Sequence, residues 1–583
     1  QRIVERKIMT KTFSQLKKSS KKIAENSKTI KVAILGDTAT QFLNVALQGT
    51  AFDQGYHFEI YEADFGQISR QIMDPTSEFY DFEPEYTIIF EASHKLLSYY
   101  YKSYNDQLNF AQNKINYLED LYHTITQRTK SKVIFCNFPE IDSQIFGNFS
   151  QKVEASFGFQ QRKLNYLLAE LALEKSNLFI ADLCAIQNKF GRDFMFSPNV
   201  YINTEMVLSL DILPVVAENM VGIISSIEGK FKKCLILDLD NTTWGGIIGD
   251  DGLEKIQIGS LGIGKAFSEF QHWVKALQRR GIIIAVCSKN DEDKAKEPFE
   301  KHPDMVLKLE DISVFVANWE NKADNIRKIQ SILNIGFDSM VFLDDNPFER
   351  NLVRENLPEV CVPELPEDPA NYLEYLYELN LFETASFSEN DAERTKQYQI
   401  ESQRATALES FTNVEEFLKS LNMISDVQEF NNFSKPRVSQ LSQRSNQFNL
   451  RTVRYTEEEV NDLIQSDQHY TLSFTLEDKY GDNGLICVIV LEGLDPENIF
   501  IESWFMSCRV LKRGMEEFTL NTIVETAKKN GFKKLIGEYI ESPKNQMVQN
   551  HYENLGFKTE NGKWILEIAD YQPSEVNIKT KNN

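Results

Sequence analysis

The sequence predicts a multidomain α/β chain, and three observations carry that reading. The length, 583 residues, exceeds what one hydrophobic core supports. Short apolar runs alternate twice with stretches of helical spacing, once over roughly 31–225 and again from Cys234, the pattern of βαβ units with largely parallel sheets. From about residue 426 the pattern changes to apolar runs paired around a Gly/Asp/Asn turn and followed by helix, strand and short helix, which is that of an α+β module.

In chain order, residues 1–30 are rich in Lys and Arg and predict a basic helical arm. Residues 31–228 form the first α/β domain. KVAILGD is apolar throughout until Gly-Asp ends it, as expected of a strand covered on both faces; HFEIYEAD, YTIIFEAS, SKVIFCNFP and SNLFIADL supply further strands. Residues 229–365 form the second: strand KKCLILDLD, helix QHWVKALQRR, strand GIIIAVCS, helix KADNIRKIQSILN and strand SMVFLDD. PELPEDPANY closes it with three prolines. Residues 366–425 predict a helical linker, 426–572 the α+β module, and 573–583 a disordered tail.

Composition narrows the function. Hydrophobic residues make up 42% and charged residues 26%, as in ordinary globular proteins. No apolar run approaches the roughly 20 residues needed to cross a bilayer, so no membrane role and a cytoplasmic location are expected. The seven cysteines lack any CxxC pair, which argues against a disulfide framework and a structural zinc site; Cys136, Cys234, Cys287 and Cys487 read as core thiols. A net charge of -23 opposes binding to nucleic acid. Against that background, residues 434–455 carry Lys435, Arg437, Arg444, Arg451 and Arg454 with no acid among them, either a solvated face or a site for an anionic group.

The stretch ILDLDNTTWGGIIGDDG holds the strongest chemical signal. In a strand, residues two apart share a face, so Asp238 and Asp240 can point into one space at its end. Two carboxylates there repel, and a divalent cation with hard oxygen ligands, Mg²⁺ first, keeps them ionised. Ser288 follows the strand GIIIAVC, Lys322 opens a helix, and Asp344 with Asp345 ends the strand SMVFL. Ligand sites of open parallel sheets gather at such carboxyl ends.

Asp238-x-Asp240-x-Thr242, Ser288, Lys322 and the Asp344-Asp345 pair resemble the four motifs of the haloacid dehalogenase (HAD) superfamily phosphatases. The resemblance implies a Rossmann-like central domain with little room for a cap. It assigns Asp238 as nucleophile, Asp240 as acid and base, and Thr242, Ser288 and Lys322 as phosphate-binding. Mg²⁺ would sit on Asp238, the carbonyl of Asp240, and Asp344 or Asp345. WGGIIGDDG, FLDDNPFERNLVRENLPEV, QLSQRSNQFNLRT and SWFMSCRVLKRGMEE further resemble the FkbH-like family of glyceryl transferase/phosphatases. NHYENLGF resembles GNAT-type acyltransferases, with Lys512 standing where their phosphate-binding loop has its first glycine. LGDTATQF resembles the first block of SGNH-type hydrolases, with Thr38 in place of serine, which implies a degenerate SGNH/flavodoxin-like N-terminal domain.

These resemblances imply a bifunctional enzyme. Cys508 would take an acyl group from an acyl phosphate such as 1,3-bisphosphoglycerate, the central domain would remove the remaining phosphate, and the glyceryl group would pass to the phosphopantetheine arm of an acyl carrier protein. Helix-start amides and Arg509 are expected to favour the thiolate of Cys508. Arg437, Arg444, Asn446, Asn449, Arg509, Arg513 and Tyr552 are the expected carrier- or acyl-binding residues. The alternatives are an HAD phosphatase for a small phosphorylated metabolite with a non-catalytic GNAT-like module, and a non-enzymatic carrier-binding scaffold.

Overall fold

The computed structural model describes residues 11–581 apart from 24–26, 388–390, 392–393, 409–410 and 412. It divides into two compact units, Gln1–Ser225 and Ser226–Asn583.

The first unit is built on five parallel strands: β1 (Lys28–Gly36), β2 (Tyr56–Glu62), β3 (Tyr86–Phe90), β4 (Lys132–Cys136) and β5 (Leu178–Ala181), in the order β2-β1-β3-β4-β5. This is the flavodoxin-like order, and it puts the topological switch point between β1 and β3. Helices cover the sheet, which is why the second half of β1, from Val32, and the whole of β3 are buried without alternation. The basic arm contains a helix, Phe13–Ser19, started by a Thr12–Gln15 capping box. It is shorter than expected, because Lys28 already belongs to β1. Residues 1–10 and 24–26 of the arm lie outside the described residues.

The second unit holds two sheets. The first contains β6 (Cys234–Leu237), β7 (Ile283–Ser288), β8 (Val314–Ala317) and β9 (Met340–Leu343), all parallel, in the order β8-β7-β6-β9. Side chains alternate between two cores with the strand period of two. Leu235, Leu237, Val286 and Leu343 face Phe267, Phe270 and Val274, whereas Cys234, Ile236, Ala285 and Phe342 face Ile326, Ile329 and Leu333. Cys234 and Cys287 are core thiols here, as expected.

The other sheet is mixed and has nine strands. These are β10 (Met423–Ser425), β11 (Val427–Gln428), β12 (His469–Asp478), β13 (Gly481–Gly493), β14 (Asn498–Met506), β15 (Lys534–Gly537), β16 (Lys558–Glu560), β17 (Lys563–Glu567) and β18 (Ile578–Thr580). Two expectations are corrected. The tail is not disordered over its described part, because β18 pairs in parallel with β10 and its Ile578 is buried; residues 582–583 lie outside the described residues. The stretch 366–425 is more than a linker. Its helix Arg394–Leu408 is anchored to the sheet, with Arg404 2.8 Å from the buried Asp478 and Glu401 2.7 Å from Arg513, and the stretch ends in strand β10.

Among the described residues, no helix is long and apolar enough to cross a membrane.

Candidate active site

Asp238 is the first residue after β6, and its amide donates to Leu343 O of β9, which fixes the strand end. Asn241 and Gly246 take left-handed conformations, φ 54° and 91°, and the Gly246 amide donates to Asn241 Oδ1 at 2.9 Å. These turns fold the following residues back over the strand end. The result explains the glycines of WGG: a Cβ on Gly245 would come within 2.8 Å of the Phe267 ring. It also returns Trp244 and Ile248 to Asp240, whose Oδ1 accepts from Trp244 Nε1 and the Ile248 amide, each at 3.0 Å, while Oδ2 accepts from Asn290 Nδ2 at 2.9 Å.

Carboxylate oxygens of Asp238, Asp344 and Asp345 lie within 4.8 Å of one another. Lys322, at the start of the helix Lys322–Leu333, donates to Asp344 Oδ2 at 2.5 Å and sits 2.9 Å from Asp238 Oδ1. Burial opposes its charge, but the two carboxylates more than offset that and raise its pKa. Burial and then the charge of Asp238 push both Asp344 and Asp345 up. Burial also raises Asp240, against the three hydrogen bonds just described. Three clustered acids facing one ammonium leave negative charge uncompensated, and every clustered ligand atom is a hard oxygen, so this donor set fits a divalent cation of the Mg²⁺ kind.

The structure thus brings Asp238, Asp240, Thr242, Ser288, Lys322, Asp344 and Asp345 to one end of the sheet, with two refinements. The Asp240 carboxylate belongs to the Trp244–Asn290 group rather than to the cluster of three. The Thr242 hydroxyl is fully buried and bonded to Asp345, accepting from its amide at 3.0 Å. Ser288 is 1% exposed and accepts from Asn290 Nδ2 at 3.3 Å. Sequence reasoning missed Asn290, Trp244 and Arg350, although all lie within segments that carried its resemblance or beside Ser288. Arg350 donates to the carbonyls of Asp344 and Asp345 at 2.8 and 2.6 Å and so fixes the end of β9.

At the other end of this sheet lies Cys508. Asn334, directly after the helix that Lys322 starts, donates to Cys508 O at 2.7 Å, and Lys233, directly before β6, interacts electrostatically with the thiol. The expected thiolate is not what the surroundings favour: burial raises the thiol pKa, against Lys233, the amides of Cys508 and Phe448, and Arg509. Burial in turn lowers Lys233 to about 8.

The expected carrier-binding residues divide sharply. Arg444 is 2.6 Å from the fully buried Asp391. Asn446 Nδ2 donates to Gly229 O at 2.8 Å, and Asn449 Nδ2 donates to Val453 O at 3.1 Å. Arg513 pairs with Glu401 at 2.7 Å and Asp478 at 3.5 Å, and the 8% exposed Arg509 bonds Gln397 and Asn483 O. Tyr552 lies against Gly537, where a Cβ would meet its ring at 2.5 Å. Each of these six side chains is bonded or packed inside the fold. Arg451, paired with Glu538 at 2.8 Å, and Arg454, bonded to Ser445 O at 2.8 Å, are likewise internal; Lys435 and Arg437 form no ion pair among the described residues. His551 is buried edge-on to Trp504, and burial lowers it to about 3.

In the first unit, Asp37 ends β1 and accepts from the Ala92 amide at 2.9 Å. Burial, then the nearby Glu91, pushes it up to about 7. Thr38 beside it is fully buried, and its hydroxyl has no hydrogen-bond partner among the described residues. An acid whose folded pKa exceeds its unfolded value loses stability as pH rises between the two. Asp37→Asn should therefore stabilise this unit progressively from about pH 4 to about pH 7, by at most about 4 kcal/mol. Urea unfolding at pH 5 and pH 8 checks this, and a gain that does not grow with pH contradicts it.

Residues 31–225 match the family model described as the FkbH N-terminal domain. The chain is 58% identical to the N-terminal part of the Bacteroides fragilis protein BF1531, a crystal structure containing a phosphatase domain complexed with Mg. The match covers 65% of this chain and 100% of that one, with a TM-score of 0.62. The ribosomal-protein-S18-alanine N-acetyltransferase of Escherichia coli matches at 15% identity over 25% of this chain and 96% of that one, with a TM-score of 0.20. Spermidine N-acetyltransferase of Vibrio cholerae matches at 14% over 25% and 97%, with a TM-score of 0.21. No curated protein sequence matches. With the whole of the Bacteroides structure covered at that identity, the chain belongs to the FkbH-like family.

Proposed function

We propose that the second unit is an Mg²⁺-dependent HAD-type phosphatase coupled to transfer of a glyceryl group from 1,3-bisphosphoglycerate, through Cys508, to an acyl carrier protein. The observation that carries the phosphatase half is the grouping of Asp238, Asp344 and Asp345 around Lys322, with Asp240 held to one side. Asp238, Asp344 and Asp345 would hold the ion, which when bound supplies Lewis-acid stabilisation of phosphoryl charge. Asp238 attacks phosphorus and displaces the alkoxide. Asp240, raised by burial and oriented by Trp244 and Asn290, gives that alkoxide a proton and then takes one from the water that hydrolyses the aspartyl-phosphate. Lys322 and Ser288 hold the phosphoryl oxygens.

In the transfer half, the Cys508 sulfur attacks the acyl carbon. The C–S bond forms, the C–O bond to the C1 phosphate breaks, and the departing phosphate accepts the thiol proton. Transfer then exchanges this thioester for one on the pantetheine thiol. What supports a carrier is distance. From Lys233 to Asp238 the strand rises roughly 16 Å, and the twelve residues from Lys322 to Leu333 span about 18 Å. A phosphoglyceryl thioester puts phosphorus only five bonds from sulfur, roughly 7 Å. The group must therefore travel between centres, and a long arm provides that.

One observation favours a second reading, a phosphatase with a non-catalytic C-terminal module: the thiol of Cys508 is raised, not lowered. Intact-mass measurement after incubation with 1,3-bisphosphoglycerate separates the two. Wild type should gain an acyl adduct that Cys508→Ser lacks, and no adduct in either leaves the phosphatase alone.

A further inference from the structure

Arg437, in the acid-free segment, has no carboxylate to itself. Its one hydrogen bond goes to Gln440 on its own helix, Lys435–Arg444, and among the described residues it forms no ion pair. Asp391, the carboxylate nearest in charge, is already held by Arg444 at 2.6 Å and Arg394 at 3.0 Å. Burial, then the like charges of Arg394 and Arg509, lower Arg437 to about 9, so it remains charged at neutral pH. Arg437 is half-buried and shares the attraction of Asp391 with two other arginines, so an added anion would offset the cost of desolvating it.

Arg437 belongs to the wall of a cavity of about 550 Å³, within the usual size of small-molecule sites. Most of the remaining polar wall is neutral: Gln397, Asn431, Ser473 and Thr475 offer hydroxyls and amides. The wall's two acids, Asp426 and Asp482, accept from Gln428 Nε2 at 2.9 Å and the Gly484 amide at 2.7 Å rather than from Arg437. The cavity also adjoins the Cys508 loop. Arg509, the next residue, bonds Gln397 of the wall and donates to Asn483 O at 3.3 Å, between Asp482 and Gly484.

We propose that this cavity binds a small phosphorylated ligand beside Cys508, with Arg437 as its phosphate anchor and the neutral side chains bonding its hydroxyl or amide groups. The inference rests on the transferase reading only for the choice of probes. The phosphate could belong to the phosphoacyl substrate or to a pantetheine arm, so the probes are 3-phosphoglycerate and 4′-phosphopantetheine.

Calorimetric titration of the full chain with each probe, wild type against Arg437→Gln, tests it. Phosphate bound around Lys322 contributes to both proteins and cancels. At least one probe should bind tenfold or more weakly to Arg437→Gln, as expected for loss of a charge-assisted contact, with partial recovery in Arg437→Lys. Unphosphorylated pantetheine should not distinguish the proteins. In wild type, the effective probe should also protect Arg437 from phenylglyoxal, read by peptide mass mapping, a measurement that does not depend on the variants folding. Equal affinities, or no protection by either probe, overturn the proposal. Arg437-dependent binding with no adduct on Cys508 keeps the cavity and removes the transfer reading; an adduct with Arg437-independent binding does the reverse.

Discussion

Asp238→Asn should lower phosphate release from the alkyl phosphate by at least about a thousandfold while leaving Cys508 able to form its thioester. The amide keeps the shape of the carboxylate but neither attacks phosphorus nor contributes charge to the cluster with Asp344 and Asp345. Lys322 retains Asp344 at 2.5 Å, so the fold of the site survives. Thioester formation survives because Cys508 lies beside Lys233 and Asn334, at the far end of the strand and helix from Asp238. A phosphate-release assay alongside intact-mass measurement decides the matter. Unchanged phosphate release removes Asp238 as nucleophile, and simultaneous loss of the adduct would merge the two centres into one.

The second large effect concerns the order of events. With 1,3-bisphosphoglycerate, Mg²⁺ and no carrier, the adduct on wild-type Cys508 should keep its C3 phosphate essentially completely. With a carrier present, the carrier-bound group should lose that phosphate in wild type and keep it in Asp238→Asn. The reason is the separation of roughly 16 Å along β6, against a reach of roughly 7 Å for the thioester-bound group. The phosphorylated and dephosphorylated adducts differ in mass by one phosphate and are resolved directly. A dephosphorylated adduct on Cys508 without carrier would show that the centres approach each other or that dephosphorylation comes first.

Much of the candidate phosphatase site is legible in the sequence, for a physical reason. Each candidate is a polar residue ending an apolar strand or starting a helix, and in an open parallel sheet those ends converge. Asp238, Ser288, Lys322 and Asp344 are therefore encoded by local pattern, and WGG by the left-handed turn and the close approach of Phe267. Asn290 stands two residues after Ser288, but no periodicity says that its amide reaches Asp240.

The acid-free segment 434–455 shows the opposite case. Its composition suggests either a solvated face or a site for an anionic group, yet Arg444 meets Asp391, Arg451 meets Glu538, and Asn446 meets Gly229, partners distant in the chain. The same holds for β18, whose pairing with β10 turns an apparent tail into a strand. The sequence by itself determined the two βαβ series, the following α+β module and the chemistry gathered at the end of β6, because side-chain period and strand-end residues are local properties. Only the tertiary structure decided which charges are neutralised, that Cys508 is set at the opposite end of β6 from Asp238, and that Arg437 faces a cavity. Those outcomes depend on long-range contacts, which a local pattern does not contain.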